Sequence, residues 1–278
     1  MIQKFVLVVL CALCVLCGEK VFSAEDAVDP VRLAEIEALG KKGDADALQK
    51  IVLDEHAAGA EREAAVKGLV LTKAGALALI KLSDDGKLAE ELKATGAFAL
   101  AGCSDEEARK LGETKLPVPK TKEGLPLPPI AQLAAMKGDA KAGEVVFKNS
   151  KTGPNCIGCH QIGDDGKMIG PPLTTVGEKL SKAQLYEAIL TPSAGILMGY
   201  ELWAVKTKKG EIKTGLKKED TDDHVTLLDN QGEYTDIPVP DVVKKVKQPI
   251  SMMPEGLIGT MTRQDLVNLV EFLAGRKY

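Results

Sequence analysis

The chain has 278 residues, of which 45% are hydrophobic and 27% charged, and its 36 Lys and Arg against 40 Asp and Glu give a net charge of −4. It carries no basic block, so nucleic acid is excluded as an expected partner. Beyond the N-terminal segment no stretch is long and apolar enough to span a membrane, and the length suggests two modest domains rather than one.

Lys4 opens the chain and an apolar run of thirteen residues, Phe5 to Cys17, continues until Gly18. Val21-Phe22-Ser23-Ala24 then precedes the acidic Glu25-Asp26. This is the pattern of a secretory signal peptide, residues 1–24, cleaved after Ala24, although Phe22 is larger than such a site prefers. A bilayer span needs about 20 residues, so an uncleaved anchor is the secondary reading. Cys11, Cys14 and Cys17 leave with this segment, and the mature chain retains 34 basic and 39 acidic residues, a net of −5.

Residues 25–115 are rich in Ala, Leu, Lys and Glu with helical periodicity. Leu33, Ile36 and Leu39 mark one apolar face, and Leu48, Ile51 and Val52 a second. Ala64, Val66, Leu69 and Leu71 mark a third; Leu77, Leu79 and Ile80 a fourth; Leu88, Leu92, Phe98 and Leu100 the last. Gly43, Gly59, Gly75, Gly86 and Gly96 punctuate them. Short antiparallel helices of this kind suggest a HEAT-like α-solenoid, with a plain helical bundle as the alternative. Either form suits a docking surface. His56 reads as a surface residue and Cys103 as a small buried side chain. Residues 116–130 then hold Pro117, Pro119, Pro126, Pro128 and Pro129, a density that bars a helix and predicts an extended, semi-rigid linker at the domain boundary.

The second domain is expected over 131–278. Asp139 to Asn149 reads as an amphipathic helix carrying Gly143 and Phe147. Cys156-Ile157-Gly158-Cys159-His160 comes next, the C-x-x-C-H attachment sequence for a c-type haem. Two thiols at this spacing add across the vinyl groups on one porphyrin edge, and the adjoining histidine reaches the iron. Half a zinc site is the weaker reading, because tetrahedral zinc needs four ligands and Cys103 is the remaining cysteine outside the N-terminal segment. A thioredoxin-like dithiol would sit in a βαβ pattern, which this region lacks. Ser181 to Thr191 predicts a second helix and Thr262 to Gly275 a terminal one. Between 199 and 248 the period changes to two: Tyr200–Thr207, Glu211–Leu216, His224–Leu228 and Glu233–Ile237 read as strands of a small antiparallel β insertion.

These features resemble the class I cytochrome c superfamily. They are more closely similar to the haem-binding domain of planctomycete and verrucomicrobial proteins. The residues that carry the likeness are Cys156 to His160, Gly170-Pro171-Pro172-Leu173, Pro192-Ser193, the insertion, and Ser251-Met252-Met253-Pro254. The fold class implied is mainly α: a HEAT-like helical domain, then a cytochrome c domain with an inserted sheet. The resemblance implies one covalently bound haem c, with His160 as the proximal ligand and the Pro171 carbonyl accepting its other ring N–H. It places the distal ligand immediately before the proline, at Met253; Met252, Met198 and Met168 are runners-up. Met253 lies 93 residues after His160, a separation that the insertion accounts for. His/Met ligation is that of electron-transfer cytochromes c.

The expected function is therefore one-electron transfer between redox partners by an exported, periplasmic protein, docked to a larger redox complex through its helical domain. An electron carrier is favoured over an enzyme. The alternatives are a haem enzyme or a gas or redox sensor with a labile distal Met. Trp203 is expected to cover haem or the insertion's core. The lysines at 206, 208, 209, 213, 217 and 218 are read either as steering an acidic partner or, preferably, as protecting a strand edge.

Overall fold

The computed structural model describes residues 30–277. The expected signal segment, 1–24, lies outside the described residues. Six helices come first: α1 (Pro30–Lys42), α2 (Ala45–Leu53), α3 (Gly59–Leu69), α4 (Lys73–Asp84), α5 (Glu90–Ala101) and α6 (Glu106–Lys115). Their starts are set locally. Asp44, Thr72 and Asp105 each accept a first-turn backbone N–H through the side chain, which satisfies a donor that the helix itself cannot. Gly43 and Gly86, with φ of 73° and 68°, turn the chain between helices.

The apolar faces meet in one core that includes Ile36, Leu48, Val52, Val66, Leu69, Leu79, Leu92 and Leu100. Alternate helices pack as well as successive ones: α1 lies against α3, α3 against α5, and α4 against α6. Three details depart from the sequence reading. Leu71 is exposed, because α3 ends at Leu69. Gly75 and Gly96 lie inside helices rather than between them, where other groups crowd in: a Cβ at Gly75 would stand 2.2 Å from the Leu69 carbonyl oxygen. Phe98 leaves this core and joins that of the second domain. Burying a side chain of that size contributes about 2–3 kcal/mol, so packing joins the helical region to the second domain. The Lys67–Glu187 ion pair, 3.2 Å long, adds a polar contact between the two.

The proline-rich segment forms no helix before Ile130, but it is not the extended linker expected. Lys120 bridges Pro126, the Thr121 N–H donates to the Leu125 carbonyl at 2.9 Å and Gly124 takes φ 75°, so the chain doubles back in a tight turn that is pinned rather than free. Leu116 is buried in the first core and Leu127 in the second. The backbone N–H of Lys122 donates to the Met261 carbonyl at 2.8 Å, and the Arg263 guanidinium donates to the Pro126 carbonyl at 3.2 Å.

Next come α7 (Ile130–Ala135), α8 (Ala140–Lys148), the short hairpin β1 (Gln161–Ile162) and β2 (Asp165–Gly166), α9 (Val176–Lys179) and α10 (Lys182–Leu190). Strands β3 (Glu201–Thr207), β4 (Ile212–Asp220), β5 (His224–Leu228), β6 (Tyr234–Pro238) and β7 (Val242–Ser251) lead to the terminal α11 (Arg263–Ala274). Helices α10 and α11 both start with reciprocal capping boxes, Ser181–Gln184 and Thr262–Asp265. Helix α8 crosses α11 at Gly143, where Phe147 and Phe272 pack with ring centroids 5.8 Å apart. Around this crossing Leu133, Phe147, Tyr186, Met261, Leu266, Leu269 and Val270 form the second core.

The five longer strands form one antiparallel sheet in the order β6-β5-β4-β3-β7. The sequence reading has the first four and misses β7, because most of its residues are exposed and no apolar alternation marks it. One sheet face buries Val205, Val225, Leu227 and Ile237 with Trp203 beside them. Trp203 thus belongs to the insertion's own core, with the Lys217 ammonium 3.9 Å from its ring centroid. Leu216 and Leu228 pack instead with Ile169, Cys159, Tyr200 and Met252. The sheet therefore leans on the C-x-x-C-H turn. Among the described residues no helix is long and apolar enough to cross a membrane.

Candidate haem site

The site is built on one tight turn. Asn155 precedes it with φ 54°, the one positive φ of a non-glycine residue among those described, and Asn tolerates that region better than most side chains. Cys156–Gly158 then closes a 3₁₀ turn. The backbone N–H groups of Cys159 and His160 both donate to the Cys156 carbonyl, at 3.1 and 2.9 Å. Both thiols and the imidazole thus project from one short turn of fixed geometry. A Cβ at Gly158 would come within 2.5 Å of the Asn155 side-chain amide, so Gly158 lets that amide lie over the turn.

The next loop folds back on the turn. Ile169 and Gly170 both donate to the Cys159 carbonyl, at 3.1 and 2.7 Å. A Cβ at Gly166 would lie 2.2 Å from the His160 carbonyl oxygen, and one at Gly170 would lie 2.6 Å from Cε1 of the His160 ring. Backbone therefore walls the imidazole closely. His160 Nδ1 is 2.8 Å from the Pro171 carbonyl oxygen, an acceptor with no proton of its own, so Nδ1 carries the ring proton and donates. That leaves the lone pair on Nε2, the tautomer that ligates a metal, with a hydrogen-bonded partner fixing the ring. Burial holds the His160 pKa below the ordinary histidine value, against the opposing pull of the Pro171 bond, so the neutral ring is favoured.

The cysteines are not paired in a disulfide. Burial pushes the Cys156 thiol up to about 12 and raises Cys159 as well. Disulfide-exchange motifs need the opposite shift, so the dithiol reading loses support. A zinc site fares no better: among the described residues no group of three or more His, Cys, Asp or Glu could hold a metal ion, and zinc needs four ligands. The donor set does suit haem c. Two half-buried thiols and a neutral, oriented imidazole share one turn, and Cys156 borders the same apolar core as Ile157, Leu173, Leu180 and Leu257.

Of the four candidate methionines, Met252 and Met253 are half-buried beside the motif. Met253 packs on the second core, which Cys156 and Ile157 also border; Met252 packs with Cys159 and Ile169. Met168 and Met198 are 68% and 70% exposed. A short relay holds the Met253 loop. Ser193, just past α10, is buried, and its Oγ accepts from the Ser251 backbone N–H at 3.2 Å. The Ser251 hydroxyl oxygen accepts from the Met253 N–H at 3.1 Å, and Ser193 also bonds the Glu255 carboxylate through its side chain. His224 is not brought to the site; its Nε2 lies 3.1 Å from Glu219 on the sheet.

Sequence reasoning did not single out Asn155, Gly166 or the close approach of Gly170 to the ring. The glycines at 158, 163, 166 and 170 within one short loop were the available signal. The Ser193–Ser251 bond joins two segments 58 residues apart, and no local pattern announces it.

Residues 140–232 match the family model of cytochrome c. The match runs from the start of α8 through the C-x-x-C-H turn and into the sheet. It supports a c-type cytochrome, a haem-based electron carrier with covalently bound haem c. A stretch of 64 residues is also 34% identical to a cytochrome c-553-like protein of Synechocystis sp., covering 23% of this chain and 55% of that one. The chain thus spans about half the length of the curated relative it matches.

Proposed function

We propose that this protein is an exported mono-haem c-type cytochrome that passes single electrons between a donor and an acceptor. Cys156 and Cys159 would hold the haem covalently, His160 would be its proximal ligand, and Met253 the distal one. When bound, haem c supplies a reversible one-electron couple, raised by thioether ligation. The observation that carries this reading is the His160 ring: its Nδ1 is committed to Pro171 at 2.8 Å, and it stands one turn from two desolvated thiols. The chain's own residues would exclude water through Ile157, Leu173 and Leu257, orient the imidazole through Pro171 and Gly170, and hold Met253 through Ser193 and Ser251.

Residues 1–24 would direct export to the periplasm, where c-type attachment takes place. Residues 25–115 would form a HEAT-like domain; the packing of α1 on α3 and of α3 on α5 supports that reading. This domain would dock the protein to a larger redox complex. Residues 116–130 would bridge to the haem domain, 131–278, of the planctomycete type. The test is intact mass of protein made with a c-type maturation system. One haem, lost in a Cys156→Ser, Cys159→Ser variant, is expected. No covalent haem, or a second one, would overturn the proposal.

A further inference from the structure

Strand β7 changes the meaning of the lysines. Its register on β3 sets Lys206 directly opposite Lys244, and the next pair on the same face is Ala204 opposite Val246. On the other side of β3, Lys206 pairs with Ile212, Ala204 with Thr214, and Leu202 with Leu216. Side chains two apart share a face. Three rows therefore run along one face, from Leu216–Leu202 through Thr214–Ala204–Val246 to Ile212–Lys206–Lys244. The first row begins at Leu216, which packs with Cys159 and Met252. The later rows are open, with Ile212 66% and Val246 39% exposed.

Two like charges in direct cross-strand register destabilise a sheet. Neither Lys206 nor Lys244 has an acidic partner among the described residues to offset this. The lysines on strand positions of the opposite parity are treated differently: Lys217 and Lys245 both bind Asp220, at 2.9 and 2.6 Å, and Lys213 meets Glu211 at 3.4 Å. Edge protection explains lysine on β7, but not a second lysine opposite it on the inner strand β3. Two further cations stand near the motif. Lys218 is 5.2 Å from the ring centroid of Tyr200, which packs on the same apolar cluster as Cys159, and the backbone N–H of Lys167 donates to the Ile157 carbonyl at 3.3 Å.

We infer that this sheet face, with Ile212, Ala204 and Val246 at its centre and Lys206 and Lys244 beside them, is the docking surface for an acidic protein that exchanges electrons with the site. Charge complementarity argues for the partner. The face is locally cationic on a chain of net charge −4, so an acidic partner is steered to this patch and repelled elsewhere. The apolar centre supplies the dry contact that charges alone do not. The inference rests on the electron-carrier reading.

The test uses the full haem-loaded protein in its reduced form. Stopped-flow oxidation is measured with anionic hexacyanoferrate(III) and cationic tris(phenanthroline)cobalt(III), at low and high salt. The variant is Lys206→Glu with Lys244→Glu, which keeps a like-charged pair on the sheet and so isolates the sign of the charge; a Gln/Gln pair serves if the first does not fold. For the Glu variant the anionic rate is expected to fall about tenfold at low salt, the cationic rate to rise, and both differences to vanish at high salt. Poly-L-glutamate, standing in for an acidic protein surface, should bind the wild type and not the variant in sedimentation. Unchanged rates and unchanged poly-L-glutamate binding would overturn the inference, as would self-association of the variant as its sole phenotype, which would assign the lysines to edge protection. Wild-type protein that neither complex oxidises would instead refute the electron-carrier reading itself.

Discussion

Gly143→Ala tests the helix crossing on which the haem turn is mounted. A Cβ at this position would stand 2.0 Å from the Asn268 carbonyl oxygen and 2.8 Å from the Phe272 Cβ. Ordinary contact begins near 3.4 Å, so α8 and α11 must part by about an ångström or more, and the nearest obstacle is backbone that cannot rotate away. Ala gains about 1 kcal/mol over Gly from helix propensity. Overpacking costs about 1–3 kcal/mol and at times more, and a backbone clash of this depth belongs at or above the top of that range. The net loss should be about 2 kcal/mol or more. For a chain of this size each kcal/mol moves Tm by about 2–4 °C, so a fall of at least about 4–8 °C is expected by circular dichroism. Gly59→Ala is the control, since nothing lies within 4 Å of its added Cβ; its Tm should hold or rise slightly. A Gly143→Ala protein that melts at or above the wild-type temperature would refute the close crossing.

The geometry gives three other expected outcomes. Gly170→Ala pushes a methyl toward the His160 ring, 2.6 Å from Cε1, and should shift the reduction potential and visible spectrum; an unchanged spectrum would contradict the packing. Ser193→Ala removes the acceptor for the Ser251 N–H, a loss of about 1–2 kcal/mol, and should loosen the Met253 loop so that carbon monoxide reaches a reduced site that is closed to it in the wild type. Ser193→Thr, which keeps the hydroxyl, should restore the closed site, and failure to do so would count against the relay. Glu63 is only 5% exposed, and burial raises its pKa from 4.5 to about 8, with Glu187 and Glu255 reinforcing the shift and Lys67 opposing it. Between these values the folded carboxyl stays protonated while the unfolded one is ionised, so this group makes stability fall as pH rises from about 4.5 to 8. Glu63→Gln should remove that slope and be more stable than wild type at pH above about 8, by up to a few kcal/mol at about 1.4 kcal/mol per pKa unit; parallel curves in urea titrations across the window would refute it.

The sequence was most legible where chemistry and local structure coincide. Cys156, Cys159 and His160 are a contiguous motif, and the structure places them on one turn. The helices at Ala140–Lys148, Lys182–Leu190 and Arg263–Ala274 were readable because Asp139, Ser181 and Thr262 are side-chain caps placed just before apolar periodicity. The resemblance implied the Pro171 contact with His160, and the structure has it. Tertiary features were not readable. Strand β7 has no alternating pattern because both its faces are largely open. Phe98 is spaced like a residue of the first core but is claimed by the second. Gly75 and Gly96 read as breaks because the close approaches that require them come from elsewhere in the fold. The Ser193–Ser251 bond depends on the sheet returning the chain to the end of α10.

The most direct test of electron transfer through a closed His160/Met253 site is the absorption spectrum of the reduced, haem-loaded protein before and after carbon monoxide, for the wild type and for Met253→Ala. A low-spin c-type spectrum that the gas leaves unchanged is predicted for the wild type, and prompt binding for the variant. A wild-type spectrum that shifts at once with carbon monoxide would show an open distal position and contradict the electron-carrier reading.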